Sequence, residues 1–159
     1  VGSAFRTAEA VSPCALFLCG CCALPGNRRL AHTARGTQEA VLWRHFDQAS
    51  EAAGWLKATG RRIVAVEGGR GSRTLFDAGF SVSDAFVFGN EALGVSGDVL
   101  SGADMVVGLP QTGRRSCMNV ASALAVVAME IQRMRLAAGW ILPAPCGVSS
   151  PSLEEDMED

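Results

Sequence analysis

Four short, uninterrupted apolar runs limit what this chain can fold into: Ala15–Leu18, Ile63–Val66, Ala85–Phe88 and Met105–Val107. Each is too short for a helix and has no polar face, as expected of a strand buried on both sides. Such strands belong to parallel sheets covered by helices. Segments with helical spacing accompany the runs. Ser3–Ala10 sets Ala4, Phe5 and Ala8 on one side, and Asp47 is placed to cap a helix over 48–59 that Gly60 ends. Ala52, Ala53, Trp55 and Leu56 fit that helix, and Asp98–Leu100 reads as a helical turn. Asn119 starts a long helix to about Ala138, apolar nearly all round in its first half, as in a core or an interface. Pro25 to Arg29 reads as part of a long loop. The pattern predicts an α/β domain over residues 1–140, a parallel sheet with helices on both faces.

Composition adds three constraints. At 159 residues and 48% hydrophobic content the chain can bury a core and is not a disordered one. No apolar run reaches the roughly 20 residues of a membrane-spanning helix, so no membrane partner is expected. The net charge of -2 is unevenly spread. Five of the 16 acidic residues are Glu154, Glu155, Asp156, Glu158 and Asp159, so residues 1–153 hold 14 basic and 11 acidic side chains, or +3. Residues 141–159, rich in Pro, Ser and acid, are expected to form a disordered acidic tail. Among the basic residues only Lys57 is a lysine. Arginine suits phosphate contacts, although a coding bias produces the same excess.

The cysteines are Cys14, Cys19, Cys21, Cys22, Cys117 and Cys146. Their C-x-C-C cluster lacks the paired C-x-x-C units of a zinc site, so no metal is expected. Reduced, buried or partly buried thiols are the simpler reading, and they imply a reducing intracellular compartment, the cytoplasm or an organelle. No signal peptide is visible, and the first residue is Val1, as at a processed or truncated start.

Ligands of open α/β sheets bind beyond the carboxyl ends of the strands. After Val66 comes Glu67-Gly68-Gly69-Arg70-Gly71-Ser72, Gly-rich but without a dinucleotide or phosphate-loop pattern. After Phe88 comes Gly89-Asn90-Glu91-Ala92-Leu93-Gly94-Val95-Ser96. Its glycines permit close backbone approach to a ligand, Glu91 lies between them, and Ser96 fits a helix cap. After Val107 the polar segment from Gly108 to Asn119 leads into a helix N-terminus, which suits a polar or anionic group. Asn119 by itself reads as a plain N-cap.

These segments carry a resemblance. Gly2-Ser3-Ala4-Phe5-Arg6-Thr7-Ala8-Glu9-Ala10 resembles motif 1 of the SpoU/TrmH family of RNA ribose 2′-O-methyltransferases, part of the SPOUT superfamily. Phe88-Gly89-Asn90-Glu91, with Gly94-Val95-Ser96, resembles motif 2. Leu109-Pro110, Gly113 and Met118-Asn119-Val120-Ala121-Ser122-Ala123 resemble motif 3, and His32–Glu39 resembles the stretch between the first two. The motifs stand in family order across residues 1–138. Where the family motifs have an asparagine the chain would need a residue before Val1, and Cys117 stands where they have a serine.

The resemblance implies a SPOUT fold with a C-terminal deep trefoil knot that holds S-adenosylmethionine, and an active site at the interface of a homodimer. It implies cofactor contacts at Gly89, Leu109 and Met118, and catalytic roles for Arg6, Glu91 and Asn119. Arg6 would clamp a phosphate and stabilise the developing alkoxide, because arginine is a poor base. Glu91 and Asn119 would hold the loops and orient Arg6. The implied reaction methylates a ribose 2′-hydroxyl, so tRNA or rRNA is the implied substrate. The alternative is a catalytically impaired SPOUT-fold RNA-binding protein, suggested by Cys117 and by the motif 1 asparagine that would precede Val1. A dinucleotide-binding domain fits poorly without G-x-G-x-x-G.

Overall fold

A computed structural model describes residues 1–68, 72–90, 93–113 and 118–141. Glu91, Ser116, Cys117 and Cys146 lie outside the described residues, as does the expected tail beyond Ile141.

The central strand is β3, Ile63–Val66, whose first three residues are fully buried. It pairs in parallel with β5, Ala85–Phe88, on one side and with β6, Met105–Gly108, on the other. A two-residue strand, β4 (Arg73–Thr74), extends the sheet beyond β6 and gives the order β4-β6-β3-β5. Alternate side chains face opposite layers. Val64 and Val107 join Leu75, Ala78, Phe80 and Val127 in one core, where α5 (Val120–Ala137) covers the sheet. Ala65 meets Val95 and Val99 in the other, where α3 (Ala49–Ala58) and α4 (Gly97–Gly102) pack. Helices thus cover both faces of a parallel sheet, as expected.

A second, two-stranded parallel sheet pairs β1, Ala15–Cys19, with β2, Leu42–Phe46. Its core combines Leu18 with Phe5 and Ala8 of α1 (Gly2–Ala10) and with Leu30 and Ala34 of α2 (Arg28–Ala34). The glycine of the first motif is required by packing. A Cβ on Gly2 would lie 2.7 Å from Thr33 Cβ, so α1 and α2 approach closely only without one.

Four expectations change. The segment read as a loop through Arg29 begins α2 at Arg28, with the Asn27 carboxamide accepting from the amides of Arg29 and Leu30 at 2.9 and 3.2 Å. Residues 42–46 form an unexpected strand. The N-cap of α3 is Gln48, not Asp47, and the Gln48 amide donates to the Glu51 carboxylate at 3.3 Å. The apolar half of α5 is only partly covered: Val127 and Ala128 are buried, while Met129 is 52% exposed.

Arg135 ties the two parts of the chain. Its guanidinium donates to the carbonyls of Val11 and Pro13 at 2.7 and 2.9 Å and stacks on Trp140. At the opposite end of the sheet from the loops read above, Asp104 accepts from the Ile63 amide at 2.7 Å and from Lys57 at 3.0 Å. Those two contacts, the amide first, hold its carboxyl below the ordinary range.

Arg135→Ala should destabilise the fold by about 1.5–3 kcal/mol, the size of hydrogen bonds from a charged donor, as read from urea unfolding. Asp104→Asn should be less stable than the unsubstituted chain at neutral pH. A depressed folded pKa stabilises above the unfolded value of about 3.9 and is lost as pH falls through the folded one. The stability gap should therefore close on acidification, checked by urea midpoints at a series of pH values.

Candidate functional site

Strands β3, β5 and β6 run in parallel, so their carboxyl ends open on one edge of the sheet. A cleft of about 370 Å³ lies there, within the usual size of small-ligand sites. Val66, Glu67 and Gly68 follow β3 into it; Phe88, Gly89 and Asn90 enter from β5, with Leu93 and Gly94 beyond; Leu109 and Gln111 follow β6; Met118, Val120 and Ala123 bring in the start of α5. Gly89, Leu109 and Met118, the three expected cofactor contacts, therefore line one cleft.

Backbone shapes much of this wall. A Cβ on Gly89 would sit 1.9 Å from the carbonyl carbon of Gly94, so the loop after β5 closes only with glycine there. Gly94 has φ +67°, in the left-handed region that glycine tolerates. Its amide donates to the Asn90 carbonyl at 3.0 Å, and the Leu93 amide donates to the Asn90 side chain at 2.7 Å. The Glu67 carboxylate clamps the loop from below: Oε2 accepts from the Val95 amide at 2.8 Å. A Cβ on Gly94 would collide with that same oxygen.

Glu67 is a cleft residue that sequence reasoning did not single out. Its signal was an acid directly after a buried strand, but its role depends on an amide 28 residues away. Glu91, expected to do this holding, lies outside the described residues. Ser96 does occupy the N-cap of α4, yet its hydroxyl bonds the Asp98 carboxyl. That bond and one from Ser50 hold Asp98 below its ordinary value.

Arg6 and Asn119 are not in the cleft wall. Arg6 is exposed on α1, and none of the ion pairs among the described residues joins it to Glu9. Asn119 caps α5, its side chain accepting from the Ala121 amide at 2.9 Å, and so fixes where the helix begins beside Met118. Cys14, Cys19 and Cys22 are half-buried free thiols and Cys21 is an exposed one. Burial pushes Cys14 and Cys19 above the ordinary thiol value. Among the described residues no group of three metal-ligating side chains converges. No described helix is long and apolar enough to cross a membrane.

Comparison with known proteins gives concordant matches. The model of the SpoU rRNA Methylase family matches residues 1–129. A tRNA (guanosine(18)-2′-O)-methyltransferase of Thermus thermophilus is 33% identical over 107 residues, which are 67% of this chain and 55% of that protein. The chain thus spans little more than half the length of that relative. The crystal structure of the A. aeolicus TrmH/SpoU tRNA modifying enzyme superposes with TM-score 0.75 at 26% identity, covering 87% of this chain and 70% of that one. The SpoU methyltransferase AviRb of Streptomyces viridochromogenes, solved with AdoMet, shares the fold with TM-score 0.76 at 23% identity, covering 86% and 55%.

Two glycine substitutions separate shape from propensity. Gly89→Ala forces backbone apart and should cost about 1–3 kcal/mol of stability, as overpacking does. Gly54 lies inside α3 with open space where its Cβ would be, so Gly54→Ala should stabilise by about 0.5–1 kcal/mol. Thermal denaturation of both variants checks the opposite signs.

Proposed function

The chain belongs to the SpoU rRNA Methylase family, and from that premise we propose that it methylates a ribose 2′-hydroxyl of tRNA or rRNA, using S-adenosylmethionine. The observation that carries this reading is the convergence of Gly89, Leu109 and Met118 on one cleft at the carboxyl ends of the strands. The residues present fit the cofactor. Glycine at 89 lets the loop after β5 close on its own backbone beside the cleft, and Val66, Phe88, Leu109, Met118 and Val120 offer apolar side chains to a purine ring. When bound, S-adenosylmethionine supplies an electrophilic methyl group on a sulfonium.

The chain's own task is to place the hydroxyl in line and accommodate its developing charge. Arg6 serves as the phosphate clamp and alkoxide stabiliser in this reading. A guanidinium with a pKa above about 12 does not serve as the base. Asn119 holds the start of α5 next to Met118, and Glu91 holds the loop after β5. Because Arg6 is outside the cleft wall, a homodimer lets the arginine of one copy serve the cleft of another. A shallow apolar groove supports such an assembly: Phe76 and Met129 flank Ala125 and Val126 and are 55% and 52% exposed. The trefoil knot belongs to the same proposal. It is supported by β6 entering the sheet between β3 and the earlier β4, with α5 then packing back across it. The free thiols support a reducing compartment, the cytoplasm or an organelle. The impaired RNA-binding alternative rests on Cys117, outside the described residues, and on the motif 1 position before Val1, and the formed cleft gives it no support.

Labelled methyl from S-adenosylmethionine should appear in tRNA or rRNA transcripts at positions that resist alkaline cleavage. Arg6→Ala should lower the rate about 100-fold, the scale of a lost charge-stabilising donor, with cofactor binding unchanged. Equal rates would remove Arg6 from the mechanism. No incorporation into either RNA class would overturn the reading.

A further inference from the structure

Glu67 is the one ionisable side chain among the described residues that line the cleft. Its position is fixed from both ends. The Glu67 amide donates to the Val107 carbonyl at 2.9 Å, which continues the pairing of β3 with β6. Its carboxylate Oε2 accepts from the Val95 amide at 2.8 Å and rests against Gly94. The side chain is half-buried and is not free to swing away from the loop. No hydrogen bond from a described residue reaches its second oxygen, Oε1. The ion pairs among the described residues, Lys57–Asp104, Arg62–Asp84 and Arg133–Glu130, do not include it. The cleft therefore presents a ligand with a fixed carboxylate whose only described partner is a neutral amide.

A fixed carboxylate in a cleft with no other described charge attracts a cation and offers a neutral analogue no matching gain. We infer that Glu67 sets the charge preference of the cleft, favouring the sulfonium form of the cofactor over its neutral thioether product. This rests on the reading that the cleft takes S-adenosylmethionine. The methylated and demethylated forms are nearly the same shape and differ by one positive charge, so shape alone discriminates poorly between them. Glu67 is thus a specificity residue as well as a positioning one. Oε2 holds the loop after β5, and the charge of the same group lets the spent cofactor leave more readily than the fresh one.

Glu67→Gln separates the two roles, since the amide oxygen still accepts from Val95 while the charge is gone. Calorimetric titration with S-adenosylmethionine and S-adenosylhomocysteine should show the unsubstituted chain preferring the sulfonium form. In Glu67→Gln that preference should shrink by about three- to tenfold, the scale of one partly screened charge contact, chiefly through weaker binding of S-adenosylmethionine. Sinefungin, which has an ammonium-bearing carbon in place of the sulfonium, should follow S-adenosylmethionine in the unsubstituted chain. That measurement keeps the test alive if the variant does not fold. An unchanged preference in Glu67→Gln, an equal loss of both ligands, or sinefungin binding no tighter than S-adenosylhomocysteine would overturn the inference and leave the cofactor reading standing. Failure of the unsubstituted chain to bind any of the three would overturn the cofactor reading itself.

Discussion

Strand β3 has no exposed side until its last residue, and that burial organises the rest of the chain. Ile63, Val64 and Ala65 are fully excluded from solvent. Their backbone groups must find partners within the protein, which β5 and β6 supply from the two sides. Their side chains need cover on both faces, supplied by α5 on one and by α3 with α4 on the other. Burial ends at Val66 and Glu67, where the strand meets the cleft. The site therefore opens where the central strand stops needing cover, and its walls are the turns that bring the chain back to pair with or pack on that strand.

The strongest elements in the sequence were those with a local cause. Ile63–Val66 and Ala85–Phe88 read as buried strands because every position is apolar; the first is buried on both faces, while the second, at the edge of the sheet, is only half-buried. Leu42–Phe46 did not, because Arg44 and His45 interrupt the pattern. Its cause is non-local: Arg44 stacks over Phe46 and over Trp55 of α3, and the ring of Phe17 in β1 completes the cluster. Helix α2 was hidden by its arginines, although Leu30 and Ala34 repeat at helical spacing and Asn27 is a good cap. The site divides in the same way. Gly89, Leu109 and Met118 stand in motifs and could be placed from them. The clamp from Glu67 to Val95 joins two loops that meet only after the sheet has formed.

The motif residues also have unequal physical reasons for being where they are. Gly2 and Gly89 are set by close approach, of α1 to Thr33 and of one loop limb to the other. Asn119 is set by an unsatisfied helix amide. Arg6 has no such reason: it is exposed on α1, with no described ion pair. A motif arginine that packing and pairing leave unexplained is available for a ligand outside the fold, and in this family reading that ligand is RNA phosphate.

Arg6 and the cleft sit on different parts of the chain, and where the arginine of one copy serves the cleft of another, each copy still has to hold its two parts in fixed relation. Helix α5 is that link. It begins at the cleft, where Asn119 caps it beside Met118, and near its far end Arg135 grips the carbonyls of Val11 and Pro13 just beyond α1. The grip follows α1 directly in sequence, so the helix that bears Arg6 is anchored to the helix that starts in the cleft wall. A rigid helix between two anchored ends transmits position without any moving part. The half-covered apolar face of α5 then adds a constraint of its own, because a second copy docked there would meet an element tied both to the cleft and to the end of α1.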